Sequence, residues 1–156
     1  MSGKTGSRRA SRALRGTVYL DASALAKVYL PEPESDELES ALLGRRDLCV
    51  SDLSVTEVVS AAARRRREGL LSSKDLARLH TTLLDDLSDQ SFLSVGMSPA
   101  IHREAERLLL GFAESPLRAA DALHLALALA VGARTLVTFD KRLAEAAAAR
   151  GLHVHP

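Results

Sequence analysis

The chain lacks the residues on which several kinds of chemistry and stabilisation depend. Tryptophan is absent, and 156 residues include only two Tyr and three Phe. The core must therefore be aliphatic, within an apolar fraction of 46% that is ordinary for a globular domain. Cys49 is the single cysteine. It excludes an internal disulfide and any cysteine-cluster metal site, and it fits a reducing compartment. No apolar run is long. The longest, Leu125–Val131, falls far short of the roughly 20 residues a membrane helix needs. The basic N-terminal residues are followed by no apolar segment, so no secretory signal is expected and the chain is expected in the cytoplasm. A strong net charge is missing too, at +1, but the balance hides an asymmetry. Residues 1–16 hold Lys4, Arg8, Arg9, Arg12 and Arg15 and no acid, while the remainder carries a net −4. The first segment, also rich in Ser and Gly, is expected to be a disordered basic tail, holding nucleic acid loosely or serving no purpose. Residues 17–156 are expected to form one domain of common size.

What is present alternates short apolar segments with helical ones. "TVYLD" (residues 17–21), "LCVS" (48–51), "FLSV" (92–95) and "TLVTF" (135–139) read as strands, and "LHV" (152–154) as a short fifth. Between them lie helical patterns: "ASALAKVYL", ended by Pro31 and Pro33; "ESDELESALLG"; and a long helix from Leu53 to Glu68 capped by Gly69. Ser72 and Ser73 open a helix with Leu76, Leu79, Leu83, Leu84 and Leu87 at helical spacing. Ser98-Pro99 opens the next, and Ser115-Pro116 is expected to supply the N-cap and first residue of the one after. "KRLAEAAAAR" closes the series, with Gly151 as its C-cap. Short apolar strands separated by helices argue for an α/β fold, a parallel four- to five-stranded sheet with helices on both faces.

In open parallel sheets, ligands bind outside the carboxyl ends of the strands. Asp21 ends the first strand and Asp140 follows the fourth, so both are expected at that edge. Each also suits a helix N-cap. Asp121 is harder to explain. It lies in "LRAADALHLALALAVG" (Leu117–Gly132), where 12 of 16 residues are Ala, Leu or Val. A helix apolar on nearly every face is buried, and a buried carboxylate must be compensated. Counted from Pro116, Asp121 falls in the second turn, beyond capping reach. An Arg partner, with Arg118 near in sequence, or a bound cation would compensate it. Glu57 sits opposite the apolar stripe Val55, Val58, Val59 and Ala62, with Ser60, Ala61 and Arg64 on its own face. That face is either plainly solvated or a shallow polar cleft. Clustered acids repel and raise one another's pKa, so removing one is expected to relieve the fold. Mg2+ or Mn2+ would do the same, since both prefer oxygen ligands, and metal-assisted phosphodiester hydrolysis uses such a site.

The stretches "VYLDASALAKVYLPEPES", "SDLSVTEVVSAAARR" and "LRAADALHLALALAVGARTLVTFDKRLAEAAAARGL" together resemble the PIN-domain ribonucleases of the VapC toxin type, from bacterial toxin–antitoxin pairs. The likeness runs over residues 17–154. It implies a PIN fold for residues 17–156, with Asp21, Glu57, Asp121 and Asp140 as the acidic, metal-holding catalytic positions. It also implies a Mg2+- or Mn2+-dependent endoribonuclease, a homodimer, and a cognate VapB-type antitoxin that blocks the site. A metal-activated water attacking phosphorus would leave 5′-phosphate and 3′-hydroxyl ends. Ser23 and Thr138 are candidates to hydrogen-bond the acids, and Arg64 to take an RNA phosphate. His124, three residues after Asp121, reads as a core or rim histidine that this mechanism does not need.

Two other readings compete. A phosphoacceptor signalling domain is also α/β with strand-end acids, but it needs an acidic cluster at strand one and an Asp after strand three, and "SFLSVGM" has none. A catalytically inactive PIN-like scaffold that only binds RNA or protein is the other.

Overall fold

The computed structural model describes residues 14–112 and 116–156. Their elements run β1 (Val18–Leu20), α1 (Ala22–Tyr29), α2 (Ser35–Leu42), β2 (Leu48–Ser51), α3 (Asp52–Arg67) and α4 (Ser73–Ser88). After these come β3 (Leu93–Val95), α5 (Pro99–Gly111), α6 (Ala119–Ala130), β4 (Thr135–Val137), α7 (Lys141–Ala149) and β5 (His153–His155). The five strands form one sheet in the order β3-β2-β1-β4-β5, parallel throughout.

Alternation along the strands builds two cores. Val18, Leu20, Val50 and Val137 point to one face, where α1 to α4 supply Leu25, Leu38, Val58, Leu79 and Leu83. Tyr19, Cys49 and Leu136 point to the other, where α5, α6 and α7 supply Leu108, Leu125 and Leu143. Local chemistry sets the helix starts. Ser51, Ser72, Ser98 and Asp140 each cap the following helix by accepting a backbone N–H on the side-chain oxygen, which satisfies a donor the helix itself leaves free. Gly69 and Gly151 take positive φ just past α3 and α7, as C-terminal glycines do.

Four details depart from the sequence reading. The helix α6 begins at Ala119, with Pro116 in coil before it; the proposed N-cap Ser115 lies outside the described residues. Strand β3 is an edge strand with Leu93 and Ser94 exposed, not a buried one. The fifth strand starts one residue later than "LHV". Of the stretch read as a tail, residues 1–13 lie outside the described residues, but Leu14 packs on the first core. The Arg45 guanidinium also donates to the Leu14 and Gly16 carbonyls at 3.2 and 2.8 Å.

The strand order places a topological switch point between β1 and β4. The chain steps outward one way from β1 through β2 to β3, then returns to β4 on the opposite side of β1. Ligand crevices in open α/β sheets lie outside the carboxyl ends of the strands at such a point.

Candidate active site

Asp21 follows β1 and Asp140 follows β4, so both stand at the carboxyl edge beside the switch point. Asp21 is almost wholly buried, 3% exposed. One oxygen, Oδ1, accepts the Ser23 hydroxyl at 2.7 Å and the Ala24 N–H at 2.9 Å; Oδ2 accepts the Thr138 hydroxyl at 2.6 Å. Burial raises its pKa, and the bonds from Thr138, Ala24 and Ser23 pull it back only in part. Ser23 and Thr138, picked out from the sequence as supports for the acids, both act on this carboxylate. They also reach the next strand's end: Ser23 Oγ accepts the Phe139 N–H, and Thr138 Oγ1 accepts the Asp140 N–H at 3.0 Å. One threonine hydroxyl thus ties the two strand-end acids together.

Asp140 caps α7, its Oδ1 accepting the Arg142 and Leu143 N–H groups. Its Oδ2 meets the Arg142 guanidinium at 3.1 Å. The same guanidinium turns its Nε to Asp121 Oδ2 at 3.5 Å. That Nε is buried and makes no hydrogen bond, so it is held there by charge.

Asp121 is the third residue of α6, in its first turn rather than the second, and its Oδ2 accepts the Arg118 N–H at 3.0 Å. The carboxylate is therefore within capping reach, half of a capping box. Its ionic partner is Arg142, not the nearby Arg118, which contributes only its backbone. The repulsion expected around Asp121 is accordingly offset already, by a cap and a guanidinium.

Glu57 leaves α3 partly exposed, and its Oε2 lies 2.7 Å from His124 Nε2. The rest of its face opens on a shallow cleft lined by Ser60, Ala61, Arg64 and Arg67, the polar-cleft alternative drawn from the helical wheel. The arginine run divides its labour. Arg65 pairs with Glu32 and Arg66 donates to Ser73, while Arg64 and Arg67 face the Glu57 cleft. Tyr19, Arg67 and Arg142 are members of the site that the sequence did not single out.

These contacts join three of the acids, and hold the fourth through a residue of α6. Thr138 links Asp21 to Asp140, Arg142 links Asp140 to Asp121, and His124, one turn along α6 from Asp121, holds Glu57. Among the described residues, however, no three His, Cys, Asp or Glu side chains close around a single point that would hold an ion. Each carboxylate is turned onto a protein donor. The donor set still fits Mg2+ or Mn2+. It is all oxygen, Mg2+ takes only one or two carboxylates and completes its shell with water and phosphate, and two of the acids already draw in a cation, Arg142.

Comparison with known proteins bears on the family and the fold. The family model described as PIN domain matches residues 18–149. Ribonuclease VapC46 of Mycobacterium tuberculosis is 33% identical over 145 residues, covering 88% of this chain and 95% of its own length. Ribonuclease VapC3 of Pyrobaculum aerophilum is 30% identical, covering 82% and 92%. Among solved structures, FitAcB from Neisseria gonorrhoeae superposes with a TM-score of 0.69 at 19% identity, over 89% of this chain and 96% of that one. Mycobacterium tuberculosis VapC20, titled a sarcin-ricin loop cleaving toxin, reaches 0.66 at 15% identity, over 89% and 99%. At these identities the two structures speak for the fold.

Proposed function

Since the chain belongs to the PIN-domain family, as a relative of the VapC ribonucleases, we propose that it is a metal-dependent endoribonuclease toxin, held in check by a cognate VapB-type antitoxin. The observation that carries this reading is the pairing of Asp21 and Asp140 through Thr138 at the switch point, with Arg142 bridging Asp140 to Asp121. Asp21, Asp121 and Asp140, with Glu57, would hold Mg2+ or Mn2+. When bound, the ion supplies Lewis acidity and brings the pKa of water toward neutrality. The chain's own groups do the rest. Thr138 and Ser23 fix the Asp21 carboxylate, and the caps on α6 and α7 fix Asp121 and Asp140. Arg64 and Arg67, beside Glu57, give an RNA phosphate its counter-charge. The chain is further proposed to act as a homodimer.

Cleavage of an RNA by the purified protein tests this directly. Activity with Mg2+ or Mn2+, its loss in EDTA, and its loss in Asp121→Asn are expected, with 5′-phosphate and 3′-hydroxyl ends. A 2′,3′-cyclic phosphate product, or cutting that persists in EDTA, would refute the mechanism. Light scattering that reports a monomer at micromolar concentration would count against the dimer. The inward turn of the acids also favours a second reading, a PIN-like scaffold that binds RNA or protein without cutting. That reading expects RNA binding and no cleavage under any metal.

A further inference from the structure

His124 is buried, 4% exposed, yet both ring nitrogens are engaged. Nε2 lies 2.7 Å from Glu57 Oε2, and Nδ1 lies 2.9 Å from the Tyr19 hydroxyl. The Tyr19 oxygen in turn lies 2.8 Å from Ser51 Oγ. Ser51 Oγ accepts the Ser54 N–H at 3.1 Å, and Ser54 Oγ donates to the Leu20 carbonyl at 3.0 Å. Ser51 Oγ and Ser54 Oγ are 3.1 Å apart, so the three hydroxyls form one buried cluster behind His124.

A carboxylate only accepts, so Nε2 carries hydrogen toward Glu57. The other ring nitrogen, Nδ1, faces the Tyr19 hydroxyl, so the ring is gripped at both ends. The Tyr19 oxygen is held in turn by the Ser51 hydroxyl at the start of α3. The contacts thus run from the N-terminus of α3 through Ser51, Tyr19 and His124 to Glu57, three residues beyond Ser54 on that same helix.

We propose that His124 is a positioning residue: held at Nδ1 by Tyr19, it engages one oxygen of Glu57 through Nε2–H and leaves the other toward the cleft. The nuclease reading supplies only the consequence, that the acid so held serves a metal. A ligating carboxylate that is itself hydrogen-bonded keeps its orientation, and losing such a partner typically costs about 10–100-fold in metal affinity.

Two measurements test this. In metal-free protein labelled with 15N histidine, long-range proton–nitrogen spectra at neutral pH should show His124, assigned by its loss in His124→Gln, carrying hydrogen at Nε2. A His124 ring with no hydrogen at Nε2 in the wild type overturns the proposal without any variant having to fold. Calorimetric titration with Mn2+ gives the second readout. His124→Asn, whose amide stays near Tyr19 but falls short of Glu57, should bind about 10–100-fold more weakly. His124→Gln, whose amide reaches the Nε2 position, should recover most of the loss. Wild-type affinity in His124→Asn, or equal weakness in both variants with native circular dichroism, overturns it. Wild-type protein that carries hydrogen at His124 Nε2 yet binds no Mn2+ supports the arrangement and sinks the nuclease reading instead.

Discussion

Burial drives the Asp21 carboxyl group upward in pKa, a penalty on its charged form. The sign for stability follows. A carboxyl group with a raised native pKa binds more protons in the folded chain than in the unfolded one, so stability falls as pH rises from the ordinary carboxylate range to the raised value. Asp21→Asn removes that penalty while an amide oxygen can still accept from Ser23 and Ala24. In metal-free buffer at neutral pH the variant should melt on the order of a few degrees higher, and the gain should shrink as the pH is lowered through the carboxylate range. Thermal scans across pH check this, and a gain that grows toward acid would show the sign to be wrong. Arg142 gives a second test. Its guanidinium faces both Asp121 and Asp140, where it offsets their charge and opposes an incoming cation. Arg142→Gln should tighten Mn2+ binding by roughly fivefold, what ~1 kcal/mol of relieved charge repulsion is worth, and lower the melting temperature in EDTA. Calorimetry and a melting curve read the two effects separately.

At the scale of elements, local signals were legible and lateral ones were not. Ser72 and Ser98 announce their helices because a hydroxyl and the N–H it caps lie three residues apart. At α6 the same logic misleads. Ser115-Pro116 is the stronger local signal, but Asp121 reaches back to the Arg118 N–H and the helix starts there. The exposure of Leu93 was equally hidden, since an edge strand is defined by strand order and not by its own residues. In the candidate site, Asp21, Asp140 and Asp121 stand out as candidates from their places after strands and on an apolar helix, and Ser23 and Thr138 as neighbours of the acids. The contact of Tyr19 with His124 could not be read, because the two are 105 residues apart and only the sheet and α6 bring them together. The leucine stripe of α4 divides between core and surface. Leu79 and Leu83 are core, while Leu84 is 45% exposed. Leu83→Ala should cost about 2–5 kcal/mol in urea unfolding, and Leu84→Ser well under that. Equal costs would mean that Leu84 is covered in solution, as a dimer interface would cover it.

For the molecule as a whole, one sheet serves two cores, and β1 pairs with both β2 and β4 at its centre. Neither core can lose its sheet face without exposing the other, so unfolding should be a single transition. The scarcity of aromatics makes this measurable. Tyr19 lies in one core and Tyr29 packs against the other, and no tryptophan masks them. Tyrosine fluorescence in Tyr29→Phe and in Tyr19→Phe should each give the same urea midpoint as far-ultraviolet circular dichroism of the same variant. Separate midpoints within one variant would mean that the faces unfold apart.

The two outer strands, β3 and β5, are three residues long, among the shortest that can join a ladder. An open strand edge is a template on which a foreign chain can continue the sheet, and the hazard grows with the length of unpaired backbone. Edges this brief offer an intruding strand only a few hydrogen bonds. The fold is thereby guarded against fibrous association by curtness, and lengthening β3 with β-branched residues should make the protein more prone to precipitate.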